Sequence, residues 1–160
     1  MSESSSFPGI EYSSGDATSP KIEGPVLIAH FCSNDNKWGD VFSRSLSARD
    51  ARPEESYRRW FAAAGDSYRL GRVEFVDYLK PEWAVANMIV MEESLRGSDD
   101  IRGLALEEAF GRVANHAFSL KATVCVPRIP EMFRGMQWDL VEGIITKTLV
   151  DAEIPVVVVG

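Results

Sequence analysis

Cysteine is scarce in this chain. Cys32 and Cys125 are the only two in 160 residues. That count supports neither a disulfide framework nor a CxxC metal pair, and it points to a reducing, cytoplasmic setting. Long apolar runs are missing too. None approaches the ~18 residues of a membrane helix, and the polar start Met1–Ser6 lacks the apolar stretch of a signal peptide. Positive charge is in the minority: 17 Lys and Arg stand against 24 Asp and Glu, a formal charge of −7. With no basic block, non-specific nucleic-acid binding and attachment to an anionic membrane are poor expectations. The phosphate loops GxGxxG and GxxxxGKS/T are absent, as are the GxSxG elbow, the HExxH helix and the EF-hand loop. No metal and no resident cofactor is expected.

What is present is a globular composition, 45% hydrophobic and 26% charged, with enough chain for one domain. Residues 1–8 read as a Ser-rich tail and 9–160 as a single domain. Ile10–Tyr12 reads as a short edge strand, followed by a Gly/Asp/Ser/Pro loop to Pro20. Pro25–Phe31 is a continuous apolar run, the mark of a buried strand, and Cys32–Gly39 is a polar loop. Asp40–Ala48 reads as a short helix. Pro53 with Glu54 and Glu55 starts a second, whose apolar face is Tyr57, Trp60, Phe61 and Ala64, stopping at Gly65. Arg72–Leu79 and Trp83–Val90 read as a hairpin turning at Lys80–Glu82. Glu92–Asp100 reads as loop, Ile101–Leu120 as a long helix and Thr123–Val126 as a short buried strand. Pro127–Gln137 reads as loop, Trp138–Leu149 as a helix and Ile154–Val159 as a last strand.

Buried strands alternating with amphipathic helices predict an α/β fold, a three-layer α/β/α sandwich on a mixed central sheet. Its ligand crevice should lie outside the carboxyl ends of the strands. That rule selects the loops at 32–39, 91–100 and 127–137. His30, Cys32, Ser33 and Asp35 can be drawn as a nucleophilic set, but residues adjacent in sequence seldom supply triad geometry. His116 reads as a structural histidine on the long helix. The Glu92–Glu93 and Asp99–Asp100 pairs read as a solvated loop rather than a cation site.

Four segments in order resemble a macro domain, in the bacterial branch close to the terminal ADP-ribose glycohydrolases. They are Ile10–Thr18 with its Gly15-Asp16-Ala17 turn, Leu27–Cys32 followed by Trp38-Gly39, Trp83–Ile89, and Pro127–Ile129 followed by Gln137-Trp138. The resemblance implies a cleft for ADP-ribose or a related NAD-derived nucleotide. Asp16, with Ala17, matches the position that takes the adenine amino group, and it reads equally as an Asx-turn residue ending the first strand. Ser33, Asn34, Trp38, Gly39, Asp40 and Val41 match one ligand loop. Ile129, Pro130, Glu131, Met132, Phe133, Arg134 and Gly135 match the other. Backbone N–H groups at such strand ends and helix starts suit a diphosphate.

The sequence departs from the family pattern at several of these positions. Ser33 replaces an asparagine, and Asp40-Val41 replace small residues, which points an acid at the diphosphate. Pro130–Met136 replace a glycine-rich turn. Val159 stands where an aromatic stacks on adenine. Met91 and Arg134 fall where the branch's hydrolases carry a lysine nucleophile and an aspartate. Three readings follow: a binding module, a de-ADP-ribosylating hydrolase working without that pair, or a repurposed fold that docks a protein through Met132, Phe133 and Met136. Whether the chain is an enzyme stays open at this point. Asn34, Asp35 and Asp40 are the candidate polar groups for catalysis. Trp38 reads equally as a packing residue roofing its loop, Arg128 as a cleft cation or as one half of a structural ion pair, and Trp138 as core.

Overall fold

A computed structural model of the chain describes residues 9–64, 69–80, 82–93, 99–128 and 135–160. The strands are β1 (Ile10–Ser13), β2 (Val26–Ser33), β3 (Val73–Lys80), β4 (Trp83–Glu93), β5 (Asp99–Ile101), β6 (Thr123–Pro127) and β7 (Val156–Val159). The helices are α1 (Val41–Arg49), α2 (Arg52–Ala64), α3 (Gly103–Leu120) and α4 (Gly135–Ile145), the last running into a π-helical turn at Thr146–Val150. One mixed sheet has the order β1-β7-β6-β2-β4-β3, with β5 paired to the outer stretch of β4. Neighbours from β1 across to β4 are parallel, and β3 runs antiparallel to β4.

Alternation along the strands fixes the layers. Successive side chains point to opposite faces. In β3, Glu74 bonds Ser56 of α2, while Phe75 stacks on His116 of α3. In β2, His30 meets Trp38 and Phe42, while Phe31 meets Phe110 of α3. So α1 and α2 cover one face and α3 with α4 the other, as the predicted sandwich requires. The central strands are apolar on both faces, and every residue of β2 is buried. Burying such side chains stabilises by roughly 1.5–3 kcal/mol each. No helix among the described residues is long and apolar enough to cross a membrane.

Four local expectations are corrected. The stretch 92–100 is not all loop: β4 runs on to Glu93 and returns as β5, pairing Glu92 with Asp100 and Glu93 with Asp99. Like charges opposite one another disfavour a strand pair, which hid the ribbon, although Glu92 finds Arg102 at 3.3 Å. Ile101 therefore belongs to a strand, and α3 begins at Gly103. α4 begins at Gly135 rather than Trp138. The last turn of that helix widens into π geometry, with the Asp151 N–H bonded to the Thr146 carbonyl at 2.9 Å.

Candidate functional site

Parallel pairing brings the carboxyl ends of β1, β2, β4, β6 and β7 to one edge of the sheet. Two cavities meet the start of α1 there, beside a third of about 450 Å³ bordered by Ser13, Asp16 and Arg49. The smaller, about 200 Å³, lies between the Asp16–Thr18 turn, Val41 and Phe42 of α1, and the ends of β6 and β7. The larger, about 430 Å³, lies over the β2–α1 loop and is lined by Ser33, Asn36, Lys37, Asp40, Arg58 and Met91 among others.

Asp16 has two employments. Its Oδ1 accepts from the Thr18 N–H at 2.9 Å and the Thr18 hydroxyl at 2.6 Å, the Asx-type turn that ends the first strand. Its Oδ2 accepts from Arg49 Nη2 at 2.9 Å. The side chain is half exposed, at 51%. The Thr18 hydroxyl, then Arg49, hold its carboxyl below the ordinary aspartate value. Ala17 beside it is buried.

The β2–α1 loop is tied down from α2. The Tyr57 hydroxyl lies 2.6 Å from the Ser33 carbonyl oxygen and 3.2 Å from that of Lys37, bracing both ends of the turn. Arg58 donates to the Asn36 carbonyl. Asn36 carries φ +64°, a left-handed conformation that asparagine tolerates. Trp38 is a packing residue, 5% exposed. Its indole N–H reaches the Ser43 carbonyl at 3.1 Å and Ser47 Oγ at 2.8 Å, and its ring meets His30 and Tyr57. No atom would touch a Cβ at Gly39, so the cleft stays open there.

The expectation that Asp40 aims its charge at a diphosphate is corrected. Asp40 is the N-cap of α1, accepting from the Ser43 N–H at 3.0 Å and the Ser43 hydroxyl at 2.8 Å. Asp35 is also engaged: Ser33 Oγ donates to it at 2.5 Å and Lys37 lies at 3.1 Å. Burial pushes its carboxyl up, but the Ser33 and Lys37 contacts outweigh this and hold it low. The Asn34 N–H bonds the Met91 carbonyl at 3.1 Å, and Met91 itself is buried. Val41 is exposed at the cleft wall.

The drawn nucleophilic set does not form. His30 is fully buried, with Nε2 at 2.6 Å from Asn87 Oδ1 and 3.7 Å from Cys32 Sγ. Burial pushes the Cys32 thiol well up and the His30 imidazole down, the reverse of what an activated thiolate needs. His116 is structural, with Nε2 at 3.0 Å from Asp77 Oδ1. Trp138 is buried as expected. Arg128 departs from expectation. It makes no ion pair among the described residues, and its guanidinium lies 5.2 Å from the Trp138 ring centre. Groups of three or more metal-ligating side chains are absent among the described residues.

Ile129, Pro130, Glu131, Met132, Phe133 and Arg134 lie outside the described residues, as does the side chain of Met136. Gly135 is the first residue of α4. Sequence reasoning missed Asn36, Lys37, Arg49, Arg58 and Tyr57. Only Asn36 carried a local signal, an asparagine in a tight polar loop. Lys37 lies in that loop as well and pairs with Asp35 two residues away, whereas Arg49, Tyr57 and Arg58 reach the site across 20 or more residues of chain.

No family model matches the chain. A curated relative, mouse chromodomain-helicase-DNA-binding protein 1-like, is 29% identical over 156 residues, which is 91% of this chain but only 17% of that protein's length. A solved structure of a macrodomain protein from Streptomyces coelicolor superposes with TM-score 0.84 at 38% identity, covering 94% of this chain and 98% of the other. The Thermosipho africanus DarTG in complex with ADP-ribose gives TM-score 0.64 at 10% identity, over 83% of this chain and 37% of the other. At that identity the likeness is one of fold.

Proposed function

This chain belongs to the macrodomain family, and on that premise we propose that it is a binding module. Its ligand is ADP-ribose or a closely related NAD-derived nucleotide, held along the carboxyl ends of the parallel strands. The observation that carries this reading is the pairing of two cavities on one sheet edge, one bordered by Asp16 and the other by the Ser33–Asp40 loop. Their combined setting suits a ligand with two ends. The base would use the outward oxygen of Asp16 and the distal ribose would sit over the β2–α1 loop, with the diphosphate between them near Gly39 and Val41. The ADP-ribose carried by a protein of the same fold lends support.

Binding is favoured over hydrolysis by the state of the carboxylates. Asp35 and Asp40 spend their oxygens on their own loop and helix cap. Met91, where the related hydrolases carry lysine, has no nucleophilic atom suited to the chemistry. Trp38 packs beneath its loop rather than plugging the cleft, while Met132 and Phe133, on which the repurposed-fold reading also turns, lie outside the described residues. Two buried free thiols fit a reducing, cytoplasmic setting.

Calorimetric titration with ADP-ribose, with AMP and NAD as comparators, tests the proposal. The expected result is micromolar affinity for ADP-ribose, about 8 kcal/mol, with AMP weaker. Absence of heat with ADP-ribose up to millimolar concentration overturns it.

A further inference from the structure

β3 is the last strand on its side of the sheet, and no described strand pairs with its outer edge. The Ile89 N–H bonds the Arg72 carbonyl at 2.9 Å, and Val73 stands opposite Met88. In an antiparallel ladder that puts Val73, and by alternation Phe75, in the pairs that exchange no hydrogen bonds. Their N–H and C=O groups therefore point to the open edge.

A groove of about 470 Å³ follows that edge. It is lined by Arg72, Val73, Glu74 and Phe75, with Trp60 of α2 on one side and Arg112 of α3 on the other. The two arginines take opposite faces. Arg72 alternates with Glu74, which bonds Ser56 of α2, so it projects on the α2 face. On the other face, Glu108 of α3 packs over Gly71, where a Cβ would collide with its carboxylate, and His116 stacks on Phe75. Four helical residues rise about 6 Å and two strand residues about 6.6 Å. Arg112, midway between Glu108 and His116, therefore stands beside Val73. Glu108 holds one of its nitrogens at 3.1 Å, which leaves most of its guanidinium donors open. Arg72 has no ion-pair partner among the described residues. Glu74, the one carboxylate among the lining residues, is turned inward: its Oε1 is buried, and Ser56 and the Arg59 charge offset it. The edge thus presents cations in a chain whose formal charge is −7.

We propose that the outer edge of β3 is a docking site for an extended segment of another protein, added as a further strand and carrying two adjacent acidic residues. The backbone groups of Val73 and Phe75 supply the ladder. Neighbouring side chains of a strand point to opposite faces, so one carboxylate meets Arg72 and the next meets Arg112. An apolar side chain beside them covers Trp60. A second copy of the chain suits this edge poorly. Docked antiparallel so that Val73 pairs with Phe75, it would set Glu74 opposite Glu74, and β3 carries no two acids in a row.

The test is an anisotropy titration of the protein against a fluorescein-labelled, capped peptide of alternating valine and threonine with two adjacent glutamates at its centre. Its counterpart carries two glutamines instead. The glutamate peptide should bind saturably and the glutamine peptide roughly tenfold more weakly, the scale of two exposed ion pairs. Arg72→Gln and Arg112→Gln should each weaken the glutamate peptide roughly threefold and leave the glutamine peptide unchanged. Val73→Pro deletes the outward N–H at the first residue of the strand, where proline is tolerated. It should weaken both peptides about fivefold, the scale of a lost hydrogen bond. N-methylating the glutamate peptide at alternate residues removes the same ladder from the other side and leaves the protein untouched, so it should weaken binding at least as much. Melting curves establish that each variant is folded. Failure of the glutamate peptide to bind up to millimolar protein overturns the inference. Equal affinity for the two peptides overturns the acidic pairing, and wild-type binding of the N-methylated peptide overturns strand addition. A dimer in sedimentation velocity that Val73→Pro dissolves overturns the proposal as well, because a second copy would then occupy the edge.

Discussion

A carboxylate has two oxygens, and at Asp16 they do different work. One closes the turn onto Thr18, and the other faces outward to Arg49 at the edge of the cleft. Turn former and ligand contact, which compete as readings of the sequence, are compatible in the fold. Replacing Asp16 with alanine removes the outward acceptor and should weaken AMP and ADP-ribose alike by about 1–3 kcal/mol, or roughly five- to 150-fold. Calorimetry with both ligands measures it, and an unchanged affinity for AMP would remove Asp16 from the base pocket. The loss of the Arg49 pair adds little to stability, because both partners are half exposed. Asp16 was legible because its partner Thr18 is two residues away. The contact of Arg128 with Tyr12 was not: the two are more than a hundred residues apart, and a partner across the fold leaves no trace in local pattern.

Among the elements, α1 shows how one residue can mislead when read without its neighbours. An aspartate in a ligand loop looks like a repulsive charge, but three residues before Ser43 it is a helix cap. Asp40→Ala should therefore cost about 1 kcal/mol of stability, within the ~0.5–2 kcal/mol range for lost caps, read as a lower urea midpoint with unchanged slope. A stabilised variant would show that the charge, rather than the cap, dominates. Most elements were legible from periodicity because β2, β4, β6 and α3 bury one or both faces and carry the apolar pattern that burial demands. The failures have physical causes. β5 pairs acidic residues against acidic residues in a short ribbon off the main path of the sheet, and such a run has no apolar alternation to read. The π turn after Ile145 keeps the apolar face of a helix, so spacing alone cannot distinguish it from α. The clamp of Tyr57 on the β2–α1 loop was hidden because Tyr57, 0% exposed, reads only as a core aromatic on its helix.

At the scale of the whole molecule, parallel pairing gathers five strand ends on one edge, and a titratable side chain lies buried in the sheet. His30 is fully buried on β2, bonded to Asn87 through Nε2, while its Nδ1 has no partner among the described residues. Burial lowers its pKa below the ordinary 6.5, despite the Asn87 bond that raises it. Near pH 7.5 the imidazole is neutral in both folded and unfolded chains. Below about 6.5 the unfolded chain takes up a proton that the folded chain refuses, so stability must fall as pH falls toward the folded value, by at most ~1.4 kcal/mol per pH unit for one proton. Asp16 and Asp35 have lowered values too, so their contribution is present above about pH 3.8 and is lost only further down, in a separate window. The alkaline side has its own limb. Burial pushes Cys125 from 9.0 up to about 12, so above pH 9 the unfolded thiol ionises first and stability declines again. Stability should therefore plateau between about pH 6.5 and 9 and fall on both sides, as followed by urea midpoints across the range. His30→Gln should be less stable at pH 7.5 yet lose the decline between pH 6.5 and 4.5. An equally steep decline in that variant would mean that the acid limb belongs to another group and that His30 is protonated as readily in the folded chain as in the unfolded one.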